Sequence, residues 1–117
     1  MIEQEWDDIW TFDGRLHIAE TDIVGFAVHT RNGRLGLARH VGTGDDGQYL
    51  IVAAGRWPFR TLRMIPGGLI AYIDPRQQRV YLNANGAEID RSPAWHERRR
   101  IRGDWRQPYT DHFMRHR

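Results

Sequence analysis

Between Tyr49 and Asp74 the chain sets three apolar runs between glycine and proline breaks, and this leaves few folds open. Tyr49 to Gly55 reads Tyr-Leu-Ile-Val-Ala-Ala-Gly, Arg60 to Pro66 reads Arg-Thr-Leu-Arg-Met-Ile-Pro, and Leu69 to Asp74 reads Leu-Ile-Ala-Tyr-Ile-Asp. Apolar runs of this length, bounded this way, read as strands. Leu50, Ile51 and Val52 are consecutive, as are Leu69, Ile70 and Ala71, so both faces of these strands are expected to be covered.

Upstream, residues 23–30 alternate. Val24, Phe26 and Val28 share one face of an expected strand, with Gly25, Ala27 and His29 on the other. Arg31-Asn32-Gly33-Arg34 follows. Asn-Gly between two strand-like runs is a strong hairpin signal, because both central residues accept positive φ. The next strand starts at Leu35. Gly36 inside it marks a bulge or a close backbone approach. It fades through His40 and Val41 into the polar turn at 42–47. Downstream, Pro75-Arg76-Gln77-Gln78 is a turn and Arg79-Val80-Tyr81-Leu82 a sixth strand. Asn85 to Ser92 reads as a short helix, with Asn85 as N-cap and Glu88 three residues on, ended by Pro93.

The expected fold is therefore mainly β: a small antiparallel β-barrel of about six strands, with one short C-terminal helix and aromatic or charged terminal arms. No connection has the length of the helical crossover a parallel sheet needs. The division is an acidic aromatic leader at 1–20, a barrel domain at 21–95 and an Arg-rich C-terminal arm at 96–117. One domain is the natural count for 117 residues. No apolar run approaches the roughly 20 residues that span a bilayer, and the acidic N-terminus does not read as a signal peptide. That points to the cytoplasm and against direct membrane insertion.

There is no cysteine, which removes disulfides, thiolate chemistry and Cys-ligated metals. All 17 basic residues are arginine, which reads as a GC-rich coding genome rather than as a phosphate site. Net charge is only +2, but residues 1–13 carry −5 and residues 96–117 carry +4. The leader holds Trp6, Ile9 and Trp10 at one-face helical spacing, and the arm holds Ile101, Trp105, Tyr109 and Phe113. Opposite charge and matching aromatics suggest that the two ends pack on each other, or that the leader of one chain meets the arm of another. The competing picture is a free arm that waits for an acidic partner or RNA.

In order and spacing, several segments resemble a PRC-barrel domain. They are Ile23-Val24-Gly25 with Val28, Gly33-x-Leu35-Gly36, Tyr49-Leu50-Ile51-Val52, Pro66 leading to Ile70-x-x-Ile73-Asp74, Val80-Tyr81-Leu82, and Ile89 followed by Ser92-Pro93-x-Trp95. The leader and the aromatic-Arg tail resemble the short stand-alone PRC-barrel proteins of GC-rich bacteria. The family is a compact, mostly antiparallel barrel found in the cytoplasmic subunit of purple-bacterial photosynthetic reaction centres and in ribosome-maturation factors. The resemblance implies a protein-contact module, not an enzyme, and brings no catalytic residues.

The residues themselves offer little chemistry. His112 and His116 are four apart but lack a third ligand at a convincing spacing, so no metal site is expected. Ser92, the single serine, precedes Pro93 at a helix end, and no nucleophile–base–orienter set stands out. No cofactor site is expected either. The candidate partner contacts are Trp57 and Phe59, two aromatics in one loop, with Trp105 and Tyr109 of the tail. The candidate nucleic-acid contacts are Arg98, Arg99, Arg100 and Arg102. The expected function is a non-enzymatic adaptor or assembly module that binds another protein or a second copy of itself. The alternative is an RNA- or ribosome-associated module using the Arg-rich arm.

Overall fold

The computed structural model describes residues 9–16, 22–43, 47–55, 58–96 and 105–115. All six expected strands are present: β1 (Ala27–Thr30), β2 (Gly33–Gly42), β3 (Tyr49–Ala54), β4 (Thr61–Pro66), β5 (Ile70–Asp74) and β6 (Arg79–Leu82). They form one six-stranded sheet in the order β4-β3-β2-β1-β6-β5. Every neighbouring pair is antiparallel except β1 and β6, which run parallel. The two edge strands, β4 and β5, follow each other in sequence across one 3-10 turn, Gly67–Leu69. The sheet therefore curls until its edges approach at that end. No ladder joins them, so it is barrel-like but open.

In β3 the core lies where the apolar pattern put it, whereas β5, also expected to be covered on both faces, leaves Ala71 and Tyr72 exposed. All six residues of β3 are buried, the sign of a strand covered on both faces. Leu50 and Val52 are wholly buried, as are Val28, Ile65 and Val80 from the neighbouring strands. Each such side chain contributes roughly 1.5–3 kcal/mol by leaving water. Ile70 and Ile73 of β5 are buried as well.

The first strand is shorter than its alternation suggested. The chain turns at Val24 and Gly25, where the Phe26 amide donates to the Ile23 carbonyl at 3.0 Å. Val24 is consequently 52% exposed, while Ile23, Phe26 and Val28 are buried. The hairpin loop is also one residue earlier than the Asn-Gly signal implies. Thr30 pairs with Gly33, so Arg31 and Asn32 form the loop. Asn32 keeps negative φ, and Gly33 opens β2 with φ 137°. The Asn32 side chain instead accepts from the Gly86 amide at 2.9 Å, tying the hairpin to the helix that follows. A Cβ at Gly33 would meet nothing within 4 Å, so its conformation alone makes substitution costly. Gly33→Val should lower stability by about 1 kcal/mol, measured by urea unfolding. An unchanged midpoint would show that the hairpin relaxes freely.

The expected short helix is α1 (Gly86–Asp90). The Asn85 side chain accepts from the Glu88 amide at 2.8 Å, as its N-cap role requires. A second helix, α2 (Gln107–Arg115), corrects the reading of the tail as an arm without a core pattern. Pro108 falls in its first turn, where the missing N–H has no intrahelical acceptor to lose. Tyr109 and Phe113 sit one turn apart on the buried face and are wholly covered. The α2 residue His112 lies with its Nε2 at 2.6 Å from the Glu88 carbonyl of α1.

Candidate interaction surfaces

The leader and the tail meet over the start of β3. Trp10 stands edge-on to Trp105 with ring centroids 5.3 Å apart, and its indole N–H donates to the Thr110 hydroxyl at 2.9 Å. Trp105 in turn packs against Tyr49 at 5.4 Å and Trp95 at 5.4 Å. The Tyr109 hydroxyl donates to the Ala94 carbonyl at 2.9 Å. Trp105 is 5% exposed and Tyr109 not at all. As residue types both suit partner contacts; in the fold their own chain covers them, and their aromatic area stabilises the domain. The expected contact between leader and tail thus exists between Trp10 and Trp105, carried by rings, with the Arg106 guanidinium 5.8 Å above the Trp10 ring. Trp6, Trp57, Arg98, Arg99, Arg100 and Arg102 lie outside the described residues.

Among the described residues, Phe59 is the sequence-derived contact that lies on the surface: it is 84% exposed in the loop between β3 and β4. Leu62 on the edge strand β4 is 39% exposed. Beside it runs a groove of about 320 Å³ between Thr61–Arg63 and Ala94–His96, walled by Trp95. Among the described residues no strand pairs with the far side of β4, where the Arg63 guanidinium donates to the Ser92 carbonyl at 3.3 Å. An open edge with apolar side chains is a template for another extended chain.

A second surface went unseen in the sequence. Tyr72 pairs with Tyr81, Tyr81 with His29, and His29 with Arg34, so these four side chains form one row across β5, β6, β1 and β2. The ring centroids are 6.0 Å apart for Tyr72 and Tyr81 and 5.4 Å for Tyr81 and His29, each pair tilted by about 30°. Tyr72 is 56% exposed. Arg79 reaches along β6 to put Nη1 at 3.4 Å from the Tyr81 hydroxyl. Burial, and then the charges of Arg79 and Arg34, hold the His29 imidazole below its usual pKa, which favours the neutral ring. The arginine end of the row opens on a cleft of about 540 Å³ that Arg34 and Arg60 line, with Leu37 and Ala53.

Among the described residues no group of three His, Asp or Glu side chains could hold a metal. The Ser92 hydroxyl donates to the Ile89 carbonyl at 2.6 Å, finishing α1. No described helix is long and apolar enough to cross a membrane.

The fold and its surfaces define a small, mainly β domain built on an open curled sheet. No family model matches the chain, and no curated protein matches it. Among solved structures it is similar to a Pseudomonas aeruginosa protein described as the 16S ribosomal RNA processing protein RimM, at 15% identity and a TM-score of 0.48, over 64% of this chain. The chain spans 50% of the length of that protein. At that score and identity the likeness carries no functional argument.

Proposed function

We propose that this chain is a non-enzymatic protein-contact module of the PRC-barrel type, and that it takes an extended segment of a partner protein along β4. The observation that carries the reading is the β4 edge itself. Phe59 in the preceding loop and Leu62 on the strand are exposed beside an apolar groove, and no strand among the described residues pairs with the outer side of β4. Backbone pairing along such an edge supplies affinity, and pockets for alternate side chains supply choice of partner. Large aromatics dominate the energy of protein interfaces, and Phe59 is placed as such an anchor.

The test is capture from a lysate of the source organism with nuclease present, comparing wild type with Phe59→Ala and Leu62→Asp. Wild type should retain a protein that nuclease and moderate salt do not release. Each substitution should weaken that capture about tenfold or more, the loss of a side chain worth ~1.4 kcal/mol at a hot spot. Thermal melting should stay near wild type for Phe59→Ala, since the ring touches little of the fold. Capture that nuclease abolishes, or that both variants keep, would sink the reading.

A further inference from the structure

We propose that the outer face of β5, β6, β1 and β2 binds single-stranded nucleic acid, with bases stacked on the row Tyr72–Tyr81–His29 and phosphates held by Arg34, Arg79 and Arg60. This surface is separate from the β4 edge and does not depend on the protein-contact reading.

Three observations bring the proposal together. The first is the row. Three rings on adjacent strands, with centroids 5.4–6.0 Å apart and tilted by about 30°, stack on one another across the sheet, and the stack ends at the edge ring Tyr72. Every base has a π face, so a base can extend such a stack at its open Tyr72 end without regard to sequence. Double-stranded nucleic acid keeps its bases in the stack and offers the row nothing to bind. The ring at the sheet edge, Tyr72, is more than half exposed, so a base can reach it without any rearrangement.

The second is charge. Arg34, Arg60 and Arg79 are exposed, and none has an ion-pair partner among the described residues. The nearest acid in the ladder is Asp74, opposite Arg79. Its carboxylate accepts from the Arg76 and Gln77 amides at 3.0 and 3.1 Å, and so is engaged in the turn after β5. A face with three guanidinium groups that lack an ion-pair partner among the described residues, against Asp74 engaged in its turn and Asp90 beside Arg34, complements a phosphate backbone better than it complements an ordinary protein surface.

The third is shape. At Arg34 the row runs into the cleft lined by Arg60, Leu37 and Ala53. A strand that crosses the rings from the β5 edge therefore finds a guanidinium beside the middle of the row, at Arg79, and two more where the row ends. The neutral tendency of His29 fits a ring that stacks rather than one that pairs with phosphate.

The probe is a fluorescein-labelled single-stranded RNA of about ten nucleotides, with the matching DNA strand and the RNA duplex, titrated with the full chain by fluorescence anisotropy at several salt concentrations. Wild type should bind both single strands at low salt and the duplex much more weakly. Tyr72→Ala should weaken binding about tenfold, and Tyr72→Phe, which keeps the ring, should restore it. Arg34→Ala and Arg79→Ala should each lower the slope of log affinity against log salt by about one. Melting curves for Tyr72→Ala and the arginine variants establish that the loss is not unfolding. Three results would overturn the proposal: no binding at low salt; equal affinity for the duplex; or binding that Tyr72→Ala and both arginine variants leave unchanged, which would place the contact in the Arg98–Arg102 stretch. Row-dependent binding of a protein instead of the RNA would assign the face to a protein partner and overturn it equally.

Discussion

Gly36→Ala should be among the most damaging single substitutions in this domain, although it adds one methyl group. A Cβ at Gly36 would lie 2.0 Å from the Ala53 carbonyl oxygen, 2.8 Å from its carbon and 2.9 Å from the Ala54 Cα. All three are backbone atoms, so no rotamer change makes room. Nor can β3 move aside easily. It is held by β2 on one side and β4 on the other, and every one of its side chains is buried. The added methyl must push apart the strand pair at the centre of the sheet. Overpacking of this kind costs about 1–3 kcal/mol where side chains can adjust, and more where only backbone is available. We expect a loss of ~3 kcal/mol or more, a large share of the roughly 5–15 kcal/mol that holds a domain of this size. Gly14→Ala is the control, because nothing lies within 4 Å of a Cβ there. Urea unfolding of the two variants checks the argument. A Gly36→Ala midpoint within about 1 kcal/mol of wild type would mean that β2 and β3 are less tightly locked than their packing indicates.

That close approach was half legible beforehand, and the half that was not is instructive. A glycine inside an apolar strand marks a bulge or a near backbone, and Gly36 is the near backbone. Which atoms it approaches depends on β3 lying beside it in one register, and no local pattern fixes register. The same limit hid the row of Tyr72, Tyr81, His29 and Arg34. Those residues are spread over more than forty positions, and they align only after three strand pairings and the irregularity between Val28 and His29. By contrast the six strands were readable, because alternation and breakers are local. Asn85 as a cap was readable for the same reason. Val24 was misplaced because alternation cannot see a turn that begins before the strand does. The parallel pairing of β1 with β6 was invisible too: the chain reaches it through four intervening strands instead of a helical crossover. Of the surface, Phe59 announced itself as a large aromatic in a loop. Trp105 and Tyr109 announced themselves equally, and only packing shows that they face inward.

Replacing Phe113 by alanine should cost about as much as emptying any site in the barrel, roughly 3–5 kcal/mol. The reason lies in how the tail is held. α2 has nine residues, too few to be stable alone in water, so tertiary contact must maintain it. Phe113 and Tyr109 supply that contact from its buried face, and Trp105, two residues before the helix begins, continues it. Trp10 of the leader closes the cluster from the other end of the chain, through its ring and its hydrogen bond to Thr110. The backbone fixes the leader as well: the Gln48 amide donates to the Trp10 carbonyl at 2.9 Å, next to β3. The two ends carry opposite charge, but exposed ion pairs are worth only about 0–1 kcal/mol, and the contacts that join Trp10 to the tail are ring contacts and one hydrogen bond. Loss of Phe113 should therefore release the leader along with α2. Trypsin should cut after Arg106 far faster in Phe113→Ala than in wild type, and Trp10→Ala should produce the same cleavage at a smaller cost in stability. A double-mutant cycle on Trp10 and Trp105 should give a coupling of about 0.5–1.5 kcal/mol, the range for paired rings. Equal cleavage rates in wild type and both variants, with no coupling, would show that the tail helix folds apart from the barrel and that the ends of the chain do not hold each other.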